Sequence, residues 1–149
     1  MKLYYAPNAC SLSDHIALIE AGLSFETEAV DIRTKKTQSG GDFRDINPKG
    51  YVPALVLDDG QIITENIALL DFIAELHPAL RPTGSLARTR LLEMLRFVST
   101  EIHRAYKPLW HAGGEPEKQR ARETVAGLLQ FTRQADAGGL SVRKRAERR

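Results

Sequence analysis

The sequence predicts an α/β domain followed by an all-α region, and three observations predict it. The first 80 of the 149 residues alternate short β-rich runs with helical stripes, in the order βαβ then ββα. Asp58-Asp59-Gly60 stands between two short apolar runs, a strong hairpin signal. Past a Pro-rich connection at 78–82, only helical periodicity remains.

Each element has its own signal. Residues 1–5 read as a strand carrying Leu3, Tyr4 and Tyr5. Residues 11–22 place Leu12, Ile16, Ile19 and Leu23 at spacings of four, three and four, an apolar stripe expected to face the core, with Gly22 as the stop. Residues 25–32 read as a second strand, parallel to the first because a helix crosses between them. A polar stretch at 33–42 leads to Asn47-Pro48-Lys49-Gly50-Tyr51-Val52-Pro53, then to the hairpin strands at 54–57 and 61–64. Helical periodicity returns over 65–76 and ends at His77-Pro78.

Beyond the connection, Ser85 is placed to cap a helix whose stripe is Leu91, Leu95, Val98 and Ile102. Pro108 kinks or ends it near Trp110, and Gly113-Gly114-Glu115-Pro116 breaks the chain. A further helix over 117–134 carries Val125, Leu128 and Leu129, and from Ala135 the periodicity disappears. The expected boundaries are therefore a first domain at 1–77, a linker at 78–84, a partial helical domain at 85–134 and a disordered basic tail at 135–149.

Apolar residues make up 42% of the chain and charged residues 27%, which excludes bulk disorder. The net charge of +2 is misleading, because five of the 21 basic residues but one of the 19 acids lie in the last ten positions. The body therefore carries a net charge of −2 and has no reason to seek nucleic acid. No apolar stretch reaches membrane-spanning length, and no signal-peptide pattern opens the chain. The single cysteine forbids an internal disulfide and fits a reducing compartment, so a cytoplasmic location is expected.

That cysteine, Cys10, is the most informative residue. It opens the first helix, where unpaired backbone N–H groups and the helix dipole favour a thiolate, so a lowered thiol pKa is expected. A buried structural thiol is the alternative. Val52-Pro53 precedes a strand. A cis peptide there turns the Val52 N–H and C=O outward to pair with an added peptide, whereas a trans proline would simply open an edge strand. Thr64-Glu65-Asn66 starts a helix whose N–H groups, with the Asn66 amide, suit a carboxylate, while Glu65 suits an ammonium group or is a plain first-turn acid.

These motifs occur together and in order: Met1-Lys2-Leu3-Tyr4-Tyr5, Ala9-Cys10-Ser11-Leu12-Ser13, Asn47-Pro48-Lys49-Gly50, Val52-Pro53-Ala54-Leu55, Thr64-Glu65 and Ser99-Thr100-Glu101-Ile102-His103. The chain thereby resembles the cytosolic glutathione S-transferases, specifically the bacterial beta class. The likeness is nearly continuous from Met1 to Trp110 and fades through Arg133. It implies a thioredoxin-like N-terminal domain and an all-α C-terminal domain, incomplete here because family members carry several more helices. A frameshift, premature stop or misplaced gene end is the expectation this raises.

The resemblance implies glutathione as co-substrate, no metal, and a homodimer acting in detoxification. It assigns catalysis to Cys10 and His103. Glutathione binding is assigned to Tyr5, Lys35, Val52, Pro53, Glu65, Asn66, Arg96, Thr100, Glu101, Ile102 and His103. Tyr106, Leu109 and Trp110 are implied to face an apolar electrophile. Two departures from the class pattern are Arg96 for a usual Asn and Arg104 for a usual Lys. The expected function is conjugation of glutathione to electrophiles, thiol–disulfide exchange through Cys10, or both. Serine at Ser13, where a resolving cysteine would stand, points to a monothiol exchange route or to glutathione positioning by the Cys10 thiolate. The alternative is a glutathione-binding or protein-interaction module without turnover.

Overall fold

The computed structural model describes residues 1–110 and 114–138, with backbone only for the last four. It divides into two compact units, Met1–Arg81 and the chain from Pro82 onward. The basic tail beyond Gly138 lies outside the described residues, as does Gly113 of the expected chain break.

Unit 1 is built on four strands, β1 (Lys2–Tyr5), β2 (Glu26–Ala29), β3 (Ala54–Val56) and β4 (Ile62–Thr64), in the order β2-β1-β3-β4. β1 and β2 run parallel, with Leu3 opposite Thr27, and β1–β3 and β3–β4 are antiparallel. The parallel pair needs a crossover, supplied by α1 (Ser11–Glu20). The antiparallel pair closes through Asp58-Asp59-Gly60, where Gly60 takes the positive φ that the turn requires. α2 (Asn66–Leu76) follows β4 and packs beside α1. One core cluster gathers Leu3, Leu18, Ala21, Leu55, Leu69 and Ile73. A second, of Tyr4, Val30, Phe43 and Ala54, fills the other side of β1 and β3, because successive side chains on a strand alternate faces.

Three of the four residues of the expected stripe are exposed, and only Leu23, just past α1, packs against the core. Leu12, Ile16 and Ile19 are 56%, 52% and 60% exposed. The face turned to the sheet is Ser11, Asp14, Leu18 and Ala21, also at helical spacing. Two of its members are polar, so apolar periodicity pointed to the wrong side. The second strand is also shorter than the expected 25–32. Val30 continues only as an isolated bridge to Thr37.

Unit 2 begins with α3 (Ala87–Phe97), which passes into a π-helical turn (Val98–Ile102) and then α4 (His103–Ala105). Ser85 is not the cap. It lies in a turn, and α3 starts two residues later behind Leu86. The wide turn shifts the register, leaving Val98 42% exposed while Ile102 is buried and Phe97 packs against Phe131 at 5.2 Å. Pro108 sits in the first turn of a separate short helix, α5 (Lys107–Trp110), where its missing N–H costs nothing. α6 (Glu115–Gly138) buries Ala121 and Val125 and runs four residues into the segment expected to be disordered. Leu129 on the same helix stays 41% exposed.

Candidate functional site

The sequence-predicted residues fall into two groups, one per unit. In unit 1, the ends of β1, α1 and α2 and the loop before β3 bring Cys10, Val52 and Asn66 together. The Val52–Pro53 peptide is cis, the first of the two alternatives the sequence left open. The Cys10 thiol points at the Val52 carbonyl with Sγ 3.7 Å from the oxygen, a weak sulfur hydrogen bond. Cys10 is exposed and precedes the first residue of α1.

The expected thiolate is not what this environment favours. The thiol is pushed up from its ordinary value, first by loss of hydration and next by the negative charge of Asp14. The backbone N–H groups of Cys10 and Ser11 do lower it, as helix-start reasoning requires, but they are outweighed. Helix position alone did not reveal Asp14, which lies one turn further along the same face.

At the start of α2, Glu65 adopts φ 75°, a conformation uncommon for any residue with a side chain. Its carboxylate receives the Lys49 ammonium at 2.6 Å. Asn66 turns its amide nitrogen inward, to Ser13 Oγ at 2.7 Å, Asp14 Oδ2 at 2.8 Å and the Cys10 carbonyl at 3.2 Å. All three neighbours accept hydrogen bonds here, which fixes the orientation of the amide. Its donors are therefore committed within the protein, and a carboxylate ligand is left the backbone N–H groups of the first turn of α2.

Lys35, at φ 61°, donates from Nζ to the Gly50 carbonyl at 2.8 Å and lies over the Tyr51 ring at 5.3 Å. Gly50 permits this: it has φ 68°, and a Cβ there would sit 3.4 Å from the Lys35 stem. Tyr5 closes the end of β1 and packs its ring on His15 at 5.7 Å.

In unit 2, the predicted residues occupy the long helix and its short successor. Thr100 lies in the π-helical turn and donates back to the Arg96 carbonyl at 2.8 Å. Glu101 and His103 are exposed, and Ile102 between them is buried. Trp110 stacks on Tyr106 at 5.8 Å, and the His103 ring meets Trp110 edge-on at 6.0 Å. Leu109 beside them is half-buried. Sequence reasoning missed Asp14 and Lys49 as members of the unit 1 site and singled out Ser13 only as standing at the resolving position. The available signal for Asp14 was the second helical stripe, Ser11, Asp14, Leu18 and Ala21. Among the described residues, no group of three or more His, Cys, Asp or Glu side chains is placed to hold a metal ion. No described helix is long and apolar enough to cross a membrane.

Comparison with known proteins gives a consistent picture. Residues 10–76 match the family model described as "Glutathione S-transferase, N-terminal domain". The chain is 39% identical over 139 residues to glutathione S-transferase GstA of Escherichia coli O157:H7, covering 91% of this chain and 69% of the relative. A sphingomonad glutathione S-transferase solved in complex with glutathione is 46% identical, with a TM-score of 0.80 over 93% of this chain and 71% of that one. A bacterial beta class enzyme from Sphingomonas chungbukensis is 43% identical, with a TM-score of 0.76 over 89% of this chain and 68% of that one. The chain thus spans about seven-tenths of the length of these three proteins.

Proposed function

The chain belongs to the glutathione S-transferase family, a family of enzymes, and from that premise we propose that it binds glutathione at the Cys10–Val52–Glu65 cluster and uses it in thiol chemistry. The observation that carries the proposal is the Cys10 thiol set 3.7 Å from the Val52 carbonyl. That carbonyl is the acceptor a bound cysteinyl N–H needs, so the ligand's sulfur is delivered beside the protein's own.

The rest of the ligand has matching groups. Glu65 receives the γ-glutamyl ammonium once Lys49 yields it, and the first N–H groups of α2 receive the γ-glutamyl carboxylate. Lys35, beside Tyr51, offers a cation to the glycyl carboxylate. In unit 2 the exposed Trp110, stacked on Tyr106, offers an apolar surface for an electrophile, with Leu109 and His103 adjoining.

Two reactions follow. In conjugation, the glutathione thiolate attacks the electrophile and a carbon–sulfur bond replaces the bond to the leaving group. In exchange, the Cys10 thiolate attacks oxidised glutathione, forms the mixed disulfide and expels a glutathione thiolate, so the sulfur redox state is conserved. Ser13 stands where a resolving cysteine would, so a second glutathione must release the first. The protein acts as a cytoplasmic homodimer in this reading. Calorimetry with glutathione tests binding, and turnover of an activated chloronitrobenzene tests conjugation. Absence of glutathione binding at millimolar concentration overturns the proposal.

A further inference from the structure

Asp14 is fully buried in the first turn of α1, and its Oδ1 has no hydrogen-bond partner among the described residues. Buried carboxylates without a cation or a full set of donors are costly, so a site that keeps one calls for an account. Its other oxygen accepts from Asn66 Nδ2 at 2.8 Å. From Asn66 the contacts lead to the candidate nucleophile. The same nitrogen reaches Ser13 Oγ and the Cys10 carbonyl, and Ser13 Oγ itself donates to that carbonyl at 2.8 Å. The Cys10 carbonyl also accepts from the Ser13 N–H at 3.1 Å.

We propose that Asp14 is a positioning residue for thiol chemistry at Cys10. It draws the Asn66 amide inward, and Asn66 with Ser13 fixes the turn that holds the Cys10 sulfur against Val52. This rests on the reading of Cys10 as the reactive thiol. Asp14 does not touch the sulfur. It acts through Asn66, and through its charge one helical turn away, which opposes ionisation of the thiol. The free protein therefore rests with a protonated, correctly placed Cys10, and neutralising Asp14 makes that thiol more acidic.

The groups facing Asp14 are few. On α1 itself Cys10 lies one turn before it. From α2 comes the Asn66 amide, while Glu65 at the cap acts on Cys10 instead, raising its thiol. From β1, Tyr5 turns its ring to His15 instead. Burial pushes the Asp14 carboxyl up to about 7, with no cation among the described groups to offset it.

The test is the rate of Cys10 alkylation by iodoacetamide, followed from pH 6 to 10 in the full chain. Asp14→Asn keeps shape and an acceptor for Asn66 but removes the charge. We expect alkylation at pH 7.5 about 3- to 10-fold faster than wild type and a lower pH midpoint. Asp14→Leu also removes the acceptor, so its effect and that of Asn66→Ala should be coupled: the double variant should react as the single ones do, not by their product. Superimposable profiles for wild type and Asp14→Asn overturn the inference, as do multiplicative effects in the cycle. If Asp14→Leu fails to fold, Asn66→Ala and Ser13→Ala test the contacts in its place, and wild-type alkylation profiles in both overturn the inference. Oxidised glutathione separates the two readings: a wild-type protein that alkylates but never takes up glutathione removes the glutathione proposal and leaves the alkylation comparison standing.

Discussion

The Lys49 ammonium lies 2.6 Å from the Glu65 carboxylate, joining the Asn47-Pro48-Lys49-Gly50 turn to the start of α2. Their side chains are 53% and 65% exposed, so the pair is in water and contributes little to folding. In the proposed binding mode Lys49 gives up this carboxylate to the ligand ammonium. Glu65→Ala should weaken glutathione binding by roughly 1.5–3 kcal/mol, as for loss of a charge-assisted contact. Lys49→Ala should change stability by less than about 1 kcal/mol. Calorimetry and urea unfolding check the two halves, and unchanged affinity in Glu65→Ala would place the ligand elsewhere.

Cys10 should form a mixed disulfide with glutathione. Treatment with oxidised glutathione should add one glutathione by mass, and Cys10→Ala should abolish the addition. Because the thiol is raised above its ordinary 9.0 in the ligand-free protein, alkylation of wild type should still be climbing at pH 9. A plateau below pH 8 would show that the helix N-terminus outweighs the partial loss of hydration after all.

Asp14 makes stability depend on pH with a defined sign. Its folded value of about 7 lies above the ordinary 3.8, so the folded state holds its proton more tightly than the unfolded one. The stabilisation is therefore complete below about pH 4 and is lost as pH rises to about 7. The loss amounts to roughly 2–4 kcal/mol. Urea unfolding followed by far-ultraviolet circular dichroism should show wild type losing stability relative to Asp14→Asn between pH 4.5 and 8. A constant difference across that range contradicts the buried, ionisable Asp14.

The two faces of α1 should respond differently to truncation. Leu18→Ala empties a fully buried site and should cost roughly 2–5 kcal/mol. Ile16→Ala acts on a side chain already 52% exposed and should cost less than about 1 kcal/mol. Equal losses would mean that the Leu12–Ile16–Ile19 face is covered in solution.

Much of unit 1 was legible in the sequence because its signals are local. Asp58-Asp59-Gly60 dictates a hairpin by turn chemistry, and a helix between β1 and β2 dictates a parallel pair. Cys10, Val52 and Asn66 were found by motif, and they do converge. The faces of α1 were not legible. Its exposed stripe is more apolar than its buried one, and the choice was made by the sheet and α2, which accept Leu18 and Ala21 together with Ser11 and Asp14.

The sequence by itself determined the order of elements, the turn that pairs β3 with β4 and the residue types gathered at the ends of β1, α1 and α2. Tertiary structure alone decided the protonation preference of Cys10. Helix position predicts an acidic thiol, a rule that depends only on the N–H groups of the next few residues. Partial loss of hydration at this exposed residue and the charge of Asp14 reverse it. The ionisation of Asp14 in turn depends on burial by segments distant in sequence and on the amide of Asn66. Desolvation is a property of everything packed around a group, so no local pattern of residues encodes it.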